Sequence, residues 1–258
     1  MKYNNIFGPV PSRRLGMSLG IDLIPYKTCS LNCVYCECGK TTNLTSTRKD
    51  FSNIEEIKNE LNIFLKNYPE LDYITFSGSG EPTLHSKIGE IINFLKKNYS
   101  KYKIALLTNG TLFNIDKNLI KEVKNVDLIV PSIDAVSQDK YEKINRPLAN
   151  ISAKSIIKGL ISLRQNYRGK IWLEIFIIPG INDTNQEIKL FKKAINKIKP
   201  DKIQLNSLDR PGTESWITKI SPEKLKKIGN KLGGNIPVEF VIREDKIELE
   251  SFQTRANN

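Results

Sequence analysis

All four cysteines of this 258-residue chain fall inside ten residues, Cys29, Cys33, Cys36 and Cys38, in the stretch YKTCSLNCVYCECGKT. A disulfide framework spreads cysteines so that bridges close useful loops, and it needs an oxidising compartment. Clustered thiols in a reducing compartment instead bind metal or do redox chemistry. Zinc sites usually gather ligands as two separated pairs, often completed by histidine, whereas this chain has one histidine, His85, and no second CxxC pair. The remaining pattern, CxxxCxxC, can give three thiolates to a [4Fe–4S] cube and leave the fourth iron without a protein ligand. Zinc and thiol-redox readings stay open beside it. Cys38, two residues past the third thiol, reads as a spare thiol, a neighbour of the site or a substitute ligand, with the spare thiol preferred.

Such a loop needs a scaffold. The hydrophobic content is 39%, and no linker, repeat or low-complexity tract interrupts the chain. Segments 18–25, 71–78, 103–110, 126–134, 170–180 and 201–208 are apolar and β-rich. Between them, segments beginning NIEEIKNEL, HSKIGEIIN, NIDKNLIKE, SAKSIIKGL and TNQEIKLFK carry apolar residues at three- and four-residue spacing, which predicts helices with one buried face. Alternating strands and helices predict an α/β fold with a parallel sheet and outer helices. Six such units fall short of the eight of a full TIM barrel. The expectation is a partial (βα)6 TIM-like barrel over residues 1–210, with a small C-terminal α/β extension over 211–258 built from SPEKLKKIGNKLGG and IPVEFVIRE; an open doubly wound sheet is the alternative. In either case the strand C-termini form the functional face. The cysteine loop, GSGEP, TNG, PSID, PGIND and NSLDRPG all lie at strand exits.

The longest apolar run, IWLEIFIIPGI, spans 11 residues and includes Glu174, against the roughly 18 needed to cross a bilayer. The N-terminal segment shows no apolar region of the secretory type. A soluble, cytoplasmic protein without a membrane partner is expected. Forty Lys and Arg against 28 Asp and Glu give a net charge of +12, which would attract polyanions such as RNA. The lysines are scattered along the helices, however, which reads first as solvated surface. Arg13, Arg14, Arg146 and Arg210 fall near the rim. They suit a phosphate or carboxylate on a substrate, or equally pair with Asp22, Asp134 or Asp209 to hold loops. His85 reads as a helix-start residue.

Residues 7–210 resemble the radical S-adenosylmethionine (SAM) superfamily. The most specific matches are CxxxCxxC with Tyr35 before the last cysteine, and GSGEP, where Ser79 stands in place of the usual glycine. The resemblance implies that Cys29, Cys33 and Cys36 hold a [4Fe–4S] cluster whose open iron is chelated by SAM. It implies that Gly78, Ser79, Gly80 and Glu81 receive the SAM amino group. Asn109, Ser132 and Asp134 would serve carboxylate and ribose, and Tyr35 and the segment at Ile178 the adenine. It also implies reductive cleavage of SAM to a 5'-deoxyadenosyl radical and an electron donor of ferredoxin or flavodoxin type.

FGPVPSRRLG, FSGSGEPTLH and LNSLDRPG are similar to a less characterised branch near the wyosine-forming tRNA enzymes. Those enzymes carry further N-terminal cysteines that this sequence lacks, so the wyosine reaction is not expected. A tRNA or nucleotide-like anion is the substrate class first in line. A protein or peptide substrate, or a non-catalytic iron–sulfur electron carrier, are the alternatives.

Overall fold

The computed structural model describes residues 3–67 and 69–241. It opens with a hairpin in which β1 (Ile6–Ser12) runs antiparallel to β2 (Gly16–Ile21). Two short strands, β3 (Thr28–Cys29) and β4 (Asn43–Leu44), pair with each other around the cysteine loop. Then α1 (Ile54–Leu65) leads to β5 (Tyr73–Phe76), and α2 (Ile88–Asn98) leads to β6 (Lys103–Thr108). The short α3 (Leu112–Ile115) and α4 (Leu119–Glu122) precede β7 (Leu128–Pro131), while α5 (Gln138–Asn145) and α6 (Ala153–Asn166) precede β8 (Lys170–Phe176). The chain continues through α7 (Asn185–Ile198), β9 (Lys202–Asn206), α8 (Pro222–Gly233) and β10 (Val238–Val241).

Eight of these strands form one sheet in the order β1-β2-β5-β6-β7-β8-β9-β10. Every pairing from β2 to β10 is parallel. Spatial order follows chain order and helices cover the outside, so the sheet curls as a partial barrel, as the six βα alternations predict. The six expected strands are all present. β5 reads YITF and β7 reads LIVP, with almost no polar positions, because strands covered on both faces have no solvent side to supply alternation.

Besides the two-residue β3 and β4, which no sequence pattern announced, three elements depart from the sequence reading. Pro9 and Pro11 argue against a strand over 6–12, yet β1 forms at the sheet edge with an irregular register between Phe7 and Val10, the location where missing N–H donors are tolerated. The helix expected from NIDKNLIKE breaks into α3 and α4 because Asp116 leaves helical geometry. Its carboxylate accepts from Arg48 (2.6 Å) and from the Asn118 N–H (2.9 Å). Helix α5 was not foreseen, since QDKYEKIN is mostly charged and buries little beyond Tyr141, Ile144 and Asn145. At the C-terminus α8 and β10 add to the β9 edge; the remainder of IPVEFVIRE, and of the extension expected over 211–258, lies outside the described residues. Among the described residues no helix is long and apolar enough to cross a membrane.

Candidate active site

The cysteine loop takes its shape from backbone hydrogen bonds. Cys29 ends β3, and the Glu81 N–H donates to the Thr28 carbonyl (3.1 Å), tying the loop to the GSGEP exit. Asn32 and Val34 donate to the Asn145 and Ile144 carbonyls (both 2.9 Å), so the loop satisfies carbonyls that the end of α5 would otherwise leave open. On its other side, the Glu214 N–H donates to the Val34 carbonyl (3.2 Å) and the Thr213 hydroxyl donates to the same atom (2.9 Å). The segment after β9 thus lies against the loop.

Cys29, Cys36 and Cys38, but not Cys33, line a cavity of about 300 Å³ together with GSGEP, the exits of β6 and β7 and Glu174 of β8, at the lower end of sizes for small-molecule sites. GSGEP closes in on the loop through its glycines. A Cβ on Gly80 would sit 2.2 Å from the Thr28 carbonyl oxygen, and one on Gly78, whose φ is +137°, would strike the Asp22 carboxyl at 2.3 Å. Asp22 holds this exit by accepting from the Ser79 N–H (2.9 Å) and hydroxyl (2.6 Å).

Two buried carboxylates form the floor. Glu81 is 2% exposed. Its Oε1 accepts from the Thr83 N–H and hydroxyl and from the Thr108 hydroxyl, and its Oε2 from the Asn109 N–H. Burial pushes its pKa up, while these donors pull it down. Asp134, also 2% exposed, accepts at Oδ2 from the Tyr35 hydroxyl (2.5 Å) and Asn145 Nδ2 (2.7 Å), and at Oδ1 from the Phe176 N–H (2.9 Å). Burial likewise raises its pKa against its donors. Both carboxylates organise neighbours. Tyr35 is also stacked on Phe176, ring centroids 4.0 Å apart.

Each of the three matched cysteines meets one side-chain N–H donor. Asn109 Nδ2 donates to Cys29 Sγ (3.4 Å), Asn145 Nδ2 to Cys33 Sγ (3.3 Å), and Lys27 Nζ to Cys36 Sγ (3.0 Å). In the metal-free protein, burial pushes Cys29 up to about 11 and Cys33 well above its ordinary value, while a hydrogen bond with Cys38, then Lys27, lowers Cys36 to about 5. Cys38 is therefore a neighbour of Cys36 on the cavity wall, and its own pKa is raised by the same hydrogen bond. All four cysteines are free thiols.

Of the residues singled out from sequence, Tyr35, Gly78, Ser79, Gly80, Glu81, Asn109, Ser132 and Asp134 line the cavity. Ile178 does not. Its side chain is buried in the core and its N–H donates to Asn182 Oδ1 (2.7 Å). The rim arginines are paired: Arg13 with Asp209, Arg14 with Glu174, Arg146 with Glu214 and Arg210 with Glu37. His85 is fully buried and its Nδ1 accepts from the Lys87 N–H (3.1 Å) just before α2. Lys27, Tyr141 and Asn145 line the cavity and escaped the sequence reading. Lys27 lies two residues from Cys29, but Asn145 and Tyr141 come from the unforeseen α5. Tyr141 Oη and Asn145 Oδ1 are buried without a hydrogen-bond partner among the described residues.

A family model described as the radical SAM superfamily matches residues 23–191. A UPF0026 protein of Methanocaldococcus jannaschii is 36% identical over 224 residues, covering 86% of this chain and 69% of that protein. A Brachyspira hyodysenteriae protein named GTPase Obg is 36% identical over 240 residues, 93% of this chain but only 35% of its own length. Among solved structures, a radical SAM methyltransferase from Sphaerobacter thermophilus superposes with a TM-score of 0.65 at 16% identity, covering 87% of this chain and 66% of that one. TYW1 with a lysine-pyruvate adduct bound gives 0.60 at 17%, covering 85% and 74%. At these identities the structures share the fold, a curled α/β half-barrel. The three matched cysteines, the strand-exit cavity that Cys29 and Cys36 border and the matched span agree: the chain belongs to the radical SAM superfamily of iron–sulfur, SAM-dependent enzymes.

Proposed function

We propose that Cys29, Cys33 and Cys36 hold a [4Fe–4S] cluster, that SAM occupies the adjoining cavity, and that the protein uses the pair for radical chemistry on a substrate still to be identified. The carrying observation is that three free thiols of one loop, two of them (Cys29 and Cys36) on the cavity wall, each receive an N–H from a different part of the chain. Such donors are what ligating thiolates accept in iron–sulfur sites. No three His, Cys, Asp or Glu side chains among the described residues are gathered to share one ion; a cluster asks each thiolate to reach a different iron. The orphaned Tyr141 Oη and Asn145 Oδ1 supply further polar atoms for a ligand.

A bound cluster and SAM would supply reductive cleavage of the sulfonium C–S bond, with one electron from an external donor of ferredoxin or flavodoxin type, and so a radical able to take a hydrogen atom from substrate. The chain's own contribution is placement. Glu81 Oε2 keeps acceptor capacity beyond the Asn109 N–H and can take an ammonium. Gly78 and Gly80 let backbone approach the ligand without side chains in the way. Asp134 fixes Tyr35 and Asn145, which leaves Ser132 as the short hydroxyl at the β7 exit. Tyr35, Leu31 and Ile156 supply apolar wall that excludes water.

A tRNA or nucleotide-like anion remains the first substrate class, resting on the +12 charge, with a cytoplasmic setting. The arginines near the rim lend it little, since each is already paired with a carboxylate. Anaerobic reconstitution with iron and sulfide, followed by reduction in the presence of SAM, should release 5'-deoxyadenosine. A protein holding four irons that releases none would overturn the proposal. Salt-dependent tRNA binding would support the RNA substrate; no binding at low salt would remove it.

A further inference from the structure

The three donors facing the cysteine sulfurs are not alike. Cys29 and Cys33 receive neutral amides, from Asn109 and Asn145, whereas Cys36 receives the ammonium of Lys27 at 3.0 Å. Lys27 is only 4% exposed, and among the described residues no carboxylate lies within ion-pair distance of it. Burying an ammonium without a compensating charge is unfavourable, and the Cys36 sulfur at 3.0 Å is a group able to carry one. The backbone is arranged to deliver the ammonium there. Lys27 has φ +34°, in left-handed space that a side chain adopts at a cost, and its carbonyl accepts from the Thr42 and Asn43 N–H groups (both 3.0 Å) and from the Thr42 hydroxyl (3.3 Å). The turn that aims Lys27 is thus held by the far end of the cysteine loop. Lys27 also borders the cavity, so its charge is close to whatever the three sulfurs hold.

We propose that Lys27 is a positioning and tuning residue: its ammonium holds Cys36 toward the cavity and, through that sulfur, raises the reduction potential of the cluster. The inference rests on the reading that the cysteines hold a [4Fe–4S] cluster. Reduction adds one electron, hence one negative charge, and a fixed cation beside a ligand sulfur stabilises that extra charge more than a neutral amide does. Lys27 therefore makes the cluster easier for the electron donor to reduce, and Cys36 becomes the electrostatically distinct corner.

The test is a potentiometric titration of the anaerobically reconstituted protein without SAM, followed by electron paramagnetic resonance of the reduced cluster, with iron counted in every sample. Lys27→Met should shift the midpoint to more negative potential, and Lys27→Arg should stay near wild type. Asn109→Ala, which removes a neutral donor, should shift it less than Lys27→Met. Equal midpoints for wild type and Lys27→Met at equal iron content overturn the inference, as does an effect of Lys27→Met seen only in SAM affinity. If Lys27→Met fails to hold four irons, Lys27→Arg decides. Recovery of iron and of the native midpoint sustains the role of charge, while loss of iron in both variants with native circular dichroism overturns it, the residue then serving through its backbone turn. A wild-type protein that binds no cluster removes the cluster reading and this inference together, whereas a loaded wild type matched by Lys27→Met removes this inference alone.

Discussion

The two sides of the cavity are built on opposite plans. On the floor, Glu81 and Asp134 are almost fully buried, and donors from strands, helices and loops converge on them. On the cysteine side, the cysteine residues are less completely buried, and each of the three matched sulfurs has a side-chain N–H aimed at it. A buried carboxylate stripped of its donors, or donors stripped of their carboxylate, costs far more than a lost thiol contact. The floor should therefore answer mainly to stability and the cysteine side mainly to loading and chemistry.

The largest expected effect breaks the floor. Asp134→Ala leaves the Tyr35 hydroxyl, Asn145 Nδ2 and the Phe176 N–H without their acceptor, at a cost of about 3 kcal/mol or more from hydrogen bonds to a charged group. Thermal unfolding of the metal-free protein should show it as a drop of many degrees. Gly80→Ala comes next. The new methyl would overlap the Thr28 carbonyl and force GSGEP away from the cysteine loop, costing about 1–3 kcal/mol and weakening SAM binding in a titration of the loaded protein.

Cys33→Ala sharpens the contrast. It should abolish the four-iron cluster in iron analysis while the metal-free protein loses no more than about 1 kcal/mol in denaturant unfolding. If Cys33→Ala and Asp134→Ala changed stability equally, the two plans would not be distinct. Cys38→Ser is the smallest change. It alters the neighbour of Cys36 and not one of the three matched cysteines, so four irons and SAM cleavage should persist; loss of an iron would instead make Cys38 a ligand.

Much of this was legible because it is local. The spacing of Cys29, Cys33 and Cys36 and the GSGEP stretch lie in short windows, and the strand and helix periods follow from burial on one or both faces. β1 was hidden by Pro9 and Pro11, whose penalty depends on whether a strand is central or at an edge, a fact about neighbours. Helix α5 was hidden by its charged surface, and with it went Tyr141 and Asn145. Asp134 lines the cavity as its position suggests, while its hydrogen bonds to Tyr35, Asn145 and Phe176 depend on folding and were not legible. Ile178 sat at the expected strand exit and turned inward, because facing direction after a strand end is set by packing.

The sequence alone determined the family, the half-barrel alternation and the three thiols, since each depends on residue type and spacing along a few turns of chain. Only the tertiary structure decided which N–H reaches which sulfur, which carboxylates became floor and which rim arginines were already paired. Those outcomes join residues as far apart as 13 and 209, or 33 and 145, and no local rule of propensity carries information across such separations.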